Sequence, residues 1–257
     1  MRRHAFLAVA LAVLTGLASV STAAAPFVEP QATTSSADRQ IRADVQRKLA
    51  GLGGRVTVEV LDGAVTLSGT VPTLWEKEEA VRRALKAEHI QSVVSDLVIA
   101  KAENDAALIK QVGERIRTYE RYSVYDYIDG RVGSGVVRLT GALTAPEKLS
   151  DILERVAKVK GVQAIDNKIE VLPVSQSDDR LRVAIANAIY GDPAFDNYSR
   201  VDPPIRVIVN NGHVTLIGYV RSQEELIRAE GSARMVFGVL ALENKVQLIS
   251  KATKSAR

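Results

Sequence analysis

Val65-Thr-Leu-Ser-Gly69-Thr-Val71, Val137-Arg-Leu-Thr-Gly141-Ala-Leu143 and Val214-Thr-Leu-Ile-Gly218-Tyr-Val220 are one pattern written three times in a chain of 257 residues. Apolar and polar residues alternate with a period of two, so each stretch is a half-buried strand. A glycine stands two residues before each: Gly63, Gly135 and Gly212. Asp62-Gly63 and Asn211-Gly212 are favoured two-residue hairpin turns, because these residue types tolerate positive φ. Gly133-Ser134-Gly135 is also a hairpin loop. A second alternating stretch precedes each turn: Val56/Val58/Val60, Ile128/Gly130/Val132 and Ile205/Val207/Val209. Each repeat therefore contains a β-hairpin.

Helical spacing flanks each hairpin. Upstream, apolar residues recur every four positions at Ile41/Val45/Leu49, Leu108/Val112/Ile116 and Leu181/Ile185/Ile189, which makes one apolar stripe per helix. Downstream, Thr73-x-x-Glu76, Thr144-x-x-Glu147 and Ser222-x-x-Glu225 are spaced as capping boxes. A second helix follows, with Val81/Ala84/Leu85 and Leu149/Ile152/Leu153/Val156 as buried faces. A third strand closes each unit, over 90–99, 162–171 and 239–249. The order is α-β-β-α-β three times. This predicts an α+β protein of three tandem units, each with two helices on a three-stranded mixed sheet. The repeats are assigned to residues 37–101, 102–173 and 174–250. Gly69, Gly141 and Gly218 sit mid-strand, where a recurring glycine marks a bulge or a close approach of backbone.

The units are unequal. From the last stripe residue of the first helix to the mid-strand glycine there are 20, 25 and 29 residues. The extra residues fall between the first helix and the first strand. In the second unit they bring Tyr119, Tyr122, Tyr125 and Tyr127; in the third, Tyr190, Phe195 and Tyr198. A tyrosine joins an apolar ring to a polar tip, which suits a protein interface or the water–lipid boundary. These seven residues are the candidate contact surface. The alternative is that the rings plug the edge of a small core, since units of this size are short of apolar volume.

The termini differ from the body. Arg2 and Arg3 precede an apolar run from Ala5 to Val20, and small residues follow at 21–25. That is the three-part pattern of a secretory signal, assigned to 1–24. Residues 25–36 form a flexible leader, and 251–257 a basic tail. No other stretch is apolar enough to span a bilayer. The formal charge is +4; without Arg2 and Arg3 it is +2, and the tail alone carries Lys251, Lys254 and Arg257. The body is close to neutral, so nucleic acid is not an expected partner. There is no cysteine, which excludes disulfides, a thiol nucleophile and an acylated N-terminal cysteine.

Catalytic chemistry has little to stand on. His89 and His213 have no second ligand or base at a useful spacing. Asp192, Asp196, Asn197 and Asp202 do not follow an EF-hand loop, and turn chemistry explains them. No nucleotide-binding glycine loop is present. No catalytic residue, cofactor or metal is expected.

The α-β-β-α-β order, the V-x-L-x-G-x-V strand, and the third-strand runs Asp166-Asn167-Lys168 and Glu243-Asn244-Lys245 together resemble the BON domain family. The first repeat departs from it, with Val94-Ser95-Asp96 in place of the asparagine run. The resemblance implies a periplasmic or envelope protein without catalytic residues. It further implies binding to phospholipid headgroups, membrane surfaces or envelope proteins, in osmotic or envelope stress. A protein–protein scaffold without lipid binding is the competing expectation.

Overall fold

The computed structural model describes residues 35–101, 104–199 and 202–249. The expected export segment, most of the leader and the basic tail lie outside the described residues. The first repeat comprises α1 (Ser36–Leu49), β1 (Arg55–Leu61), β2 (Ala64–Val71), α2 (Leu74–Ala84) and β3 (Ser92–Ile99). The second comprises α3 (Asp105–Arg117), β4 (Tyr127–Gly133), β5 (Val136–Leu143), α4 (Pro146–Ala157) and β6 (Ala164–Val171). In the third, α5 (Gln176–Tyr190) and a 3-10 turn (Pro193–Phe195) lead to β7 (Ile205–Asn210), β8 (His213–Val220), α6 (Gln223–Arg234) and β9 (Ala241–Leu248). Each sheet has three strands, with the central β2, β5 or β8 antiparallel to its hairpin mate and parallel to the third strand. The fold is thus α+β, in three units. Ser35 and Ser36, assigned to the leader, instead begin α1, and the Ser35 hydroxyl caps it by accepting from Asp38 N–H.

The first-helix stripes are buried in all three units. In the second helices Ala84, Ile152 and Val156 are buried as expected, Val81, Leu149 and Leu153 pack on the cores, and Leu85 departs. In α2 the buried residues are Ala80 and Ala84, and Leu85 is 56% exposed. The helix stops at Ala84, and alanine lets it approach α1 closely; Ala229 and Ala233 do the same in α6. Thr73 and Ser222 cap α2 and α6 as spaced. Thr144 does not cap α4, whose N-cap is Ala145 with no side-chain bond. A buried carboxylate, Asp126, takes both the Thr144 amide and its hydroxyl.

Gly69, Gly141 and Gly218 have φ of 117°, 131° and 146°. A Cβ at any of them would strike a carbonyl oxygen of the facing strand's entry: Arg55, Tyr127 or Pro204. Close approach of backbone is therefore the physical reason for the recurring glycine. The asparagines of the third strand also have a local role. Asn167 Oδ1 accepts from Ile169 N–H, and Asn244 Oδ1 from Val246 N–H, both at 3.0 Å. In the first repeat the equivalent residue is Ser95, whose buried hydroxyl has no partner among the described residues.

One threefold device escaped the sequence reading. The first turn of each leading helix carries an aspartate that binds both amides of its unit's hairpin turn. Asp38 accepts from Asp62 N–H and Gly63 N–H at 3.3 and 2.9 Å. Asp105 accepts from Ser134 and Gly135 at 2.8 and 3.0 Å. Asp178 accepts from Asn211 and Gly212 at 2.8 and 2.9 Å. The bond from Gly63 is the main reason the Asp38 carboxyl titrates below its ordinary value. The sequence signal is an aspartate three residues before each stripe: Asp38/Ile41, Asp105/Leu108, Asp178/Leu181.

Candidate contact surfaces

The seven aromatic residues of the two insertions are taken up by packing within the chain. Tyr119 and Phe195 are buried. Tyr122 packs on the second core; Tyr125, Tyr190 and Tyr198 pack on the third. Tyr127 joins a small cluster of Ala142, Leu172, Ile208 and Ile217 between the second and third units. Phe195 sits between Tyr190 and Tyr198, with ring centroids 6.0 and 6.1 Å away. Four hydroxyls are also engaged at their tips, Tyr119 on Asp151, Tyr122 on Ile128, Tyr190 on Ile205 and Tyr198 on Glu225. Tyr122, Tyr125, Tyr127, Tyr190 and Tyr198 remain partly exposed. Small cores hold the rings; strand edges hold the hydroxyls of Tyr122 and Tyr190, and helix carboxylates those of Tyr119 and Tyr198.

The edge role follows from the hairpin register. With two-residue turns, the residues flanking each turn face each other, and alternate residues of the first strand point N–H and C=O outward. On β7 these are Ile205, Val207 and Val209. Tyr190 Oη accepts from Ile205 N–H at 2.9 Å and lies 2.6 Å from the Ile205 carbonyl. Val207 N–H donates to the carbonyl of Val124 in the preceding unit at 2.8 Å. Arg182 Nη2 donates to the Val209 carbonyl at 2.6 Å. On β4, Tyr122 Oη accepts from Ile128 N–H at 3.0 Å. Burial pushes Tyr122 up to about 12 and Tyr190 higher still. Both hydroxyls therefore keep their protons at neutral pH.

Asp126 ties the second insertion down. Its fully buried carboxylate accepts from Ser123 N–H and Oγ, Thr144 N–H and Oγ1, and Lys148 Nζ, over 2.6–3.0 Å. Burial pushes its pKa up, but Lys148 and the other donors outweigh this and hold it below the ordinary carboxylate value. The knot presents Ser123 and Val124 to the third unit. There Arg206 donates to the Ser123 carbonyl at 3.1 Å, lies 4.9 Å from the Tyr122 ring centre, and pairs with Asp202.

An exposed apolar surface occurs elsewhere, where the sequence reading singled out nothing. Met235, Phe237 and Leu240, between α6 and β9, are 88%, 101% and 75% exposed. The backbone identifies their counterparts. Leu240 N–H donates to Gly212 O, as Gln163 does to Gly135 O and Gln91 to Gly63 O. Counting back from those bonds, Met235 matches Lys86 and Lys158, and Phe237 matches Glu88 and Lys160. The third repeat has exchanged polar residues for large apolar ones at one exposed corner. Arg180 lies beside it, lining a shallow depression with Phe237, Gly238 and Leu240.

Among the described residues no cluster of His, Cys, Asp or Glu is arranged to hold a metal, and no helix is long and apolar enough to cross a membrane. An open cleft of about 650 Å³ separates α2 from α4, with Leu74, Trp75, Arg82, Leu153, Glu154 and Ile165 in its walls. Lys158 Nζ lies 4.8 Å from the Trp75 ring centre.

Comparison with known proteins places these features. An uncharacterized protein in the gshII 5′ region of Anaplasma centrale is 28% identical over 122 residues, 45% of this chain and 80% of that protein. The C-terminal domain of CdsD, a structural protein of the type III secretion system of Chlamydia trachomatis, is 16% identical with a TM-score of 0.24, over 83% of this chain and 98% of that one. The periplasmic domain of PrgH, a type III secretion inner membrane protein of S. typhimurium, is 14% identical with a TM-score of 0.22, over 76% and 93%. TM-scores of this size establish no shared overall arrangement. The BON domain model matches residues 37–101, 104–173 and 177–250. With three matches over most of its length, each on one α-β-β-α-β unit, this chain belongs to the BON domain family.

Proposed function

We propose that this is an exported, non-enzymatic protein of the cell envelope that attaches reversibly to a phospholipid surface through the apolar corner of its third repeat. The exposure of Met235, Phe237 and Leu240 carries this reading. Large apolar side chains this bare within six residues of one another are a contact surface in waiting. Only a shallow, open depression borders these side chains, which suits the headgroup–acyl boundary better than an enclosed small-molecule site. The export pattern at 1–24 and membership of the BON domain family support an envelope location.

The magnitudes favour transient attachment. At about 25 cal/mol per Å² a fully buried Phe, Met or Leu side chain contributes about 1.5–3 kcal/mol. Arg180 adds about 1 kcal/mol near an anionic surface. Partial immersion of three side chains thus gives reversible partition, well short of a spanning helix. Co-sedimentation with phosphatidylglycerol-containing vesicles tests it. The double change Met235→Ser with Phe237→Ser should lower partition about tenfold or more and leave the melting temperature unmoved. Equal sedimentation of both proteins, or none by either, refutes the lipid reading.

A further inference from the structure

The three first strands, β1, β4 and β7, are edge strands of equivalent sheets, and they form a graded series. On β7 Tyr190, Val124 and Arg182 between them occupy both outward groups of Ile205, the Val207 amide and the Val209 carbonyl. On β4 Tyr122 occupies the amide of Ile128. The equivalent outward residues of β1, by register against Gly69, Leu67 and Val65, are Val56, Val58 and Val60. None of their outward groups is bonded among the described residues. The first repeat has the shortest connection, with no tyrosine in it.

A second observation points to a ligand at this edge. Arg42 stands four residues after Asp38, as Arg182 stands four after Asp178. Arg182 spans the β7 edge to the Val209 carbonyl and pairs with Asp179. The Nε of both arginines is buried without a partner, but Arg42, unlike Arg182, has neither a hydrogen bond nor an ion pair from its terminal nitrogens among the described residues. It lines an open groove of about 550 Å³ along β1 with Val58, Val60, Leu61, Ala64 and Thr66. The second repeat has Ile109 at that position, so the arginine is not a requirement of the fold.

We infer that β1 is a docking edge for an extended peptide segment of a partner protein, one that places a carbonyl on the Val58 amide and an acidic side chain against Arg42. Backbone pairing to an exposed strand supplies affinity in this mode, and the flanking side-chain site supplies selectivity. The third repeat shows the arrangement completed within the chain. There a backbone carbonyl sits on Val207, the counterpart of Val58, and a carboxylate sits on Arg182, the counterpart of Arg42. An unblunted edge is an aggregation hazard, and a protein partner removes it. This inference is independent of the lipid reading.

The probe is a synthetic peptide with the sequence of residues 119–128, capped at both ends. It contains the segment that already plugs β7, and it carries two carboxylates. Amide hydrogen exchange is followed on the protein expressed without its first 24 residues. In the free protein, Val58 should exchange at close to the unprotected rate while Val207 is slow. Saturating peptide should slow Val58 at least tenfold. Arg42→Glu should weaken the peptide at least tenfold, and Val58→Pro should abolish binding. If Val58→Pro does not fold, Arg42→Glu and the exchange of Val58 decide alone. A Val58 amide protected in the free protein, no binding at millimolar peptide, or binding that leaves Val58 exchange or the Arg42→Glu affinity unchanged overturns the inference.

Discussion

Replacing Asp126 by asparagine should cost the protein about 3 kcal/mol. The carboxylate is wholly buried and holds five donors from Ser123, Thr144 and Lys148. Lys148 is itself only 12% exposed. Removing one partner from a buried ion pair costs about 3–5 kcal/mol, because the other charge stays buried and unpaired. Asparagine turns its NH2 toward groups that already donate, but it keeps the volume and one acceptor oxygen for part of the donor set, so the loss falls at the low end. In urea this appears as a midpoint shift at constant slope in the transition that contains the second repeat. The pH dependence adds a second arm. The folded pKa lies below the ordinary 3.8, so the stabilisation is fully present above the unfolded value. It is lost as the pH falls through the folded one. The gap between wild type and Asp126→Asn should be flat from pH 7 to 5 and narrow below about pH 4. A gap under about 0.5 kcal/mol at pH 7, or one that widens in acid, refutes this account of the knot.

Two further substitutions test the edge and the glycine. Tyr190→Phe keeps the ring and removes the hydroxyl that serves both backbone groups of Ile205; a loss of about 1–3 kcal/mol is expected from the groups left unsatisfied, with faster exchange of the Ile205 amide. A neutral substitution would show that water serves that edge equally well. Gly141→Ala adds a Cβ where φ is 131° and the Tyr127 carbonyl is already in contact; about 1–3 kcal/mol is expected from backbone strain alone, read by thermal melting, and a stability gain would contradict the close approach.

Where a residue's partner lies within one element or one hairpin, the sequence announces it. The stripes Ile41/Val45/Leu49 and Leu181/Ile185/Ile189 are buried because period alone puts them on one face. Thr144 shows the limit of that reasoning. It has the spacing of a cap, but a carboxylate 18 residues away takes its hydroxyl and amide. Tyr190 is legible as an aromatic with a polar tip, whereas its role depends on an edge 15 residues on. The apolar corner was hidden for a different reason. Met235, Phe237 and Leu240 look like the run into a buried strand, and they stand out only when set against Lys158, Lys160 and Gln163 at the matching backbone positions.

The lipid-contact claim is tested most directly by placing a reporter on the corner itself. The chain has a single tryptophan, Trp75. In a Trp75→Phe background, Phe237→Trp puts the sole indole at the most exposed apolar position. Adding phosphatidylglycerol-containing vesicles should shift its emission to shorter wavelength, and brominated acyl chains should quench it. Emission that stays at the wavelength of a water-exposed indole, unquenched, at vesicle concentrations that sediment the protein would contradict the account.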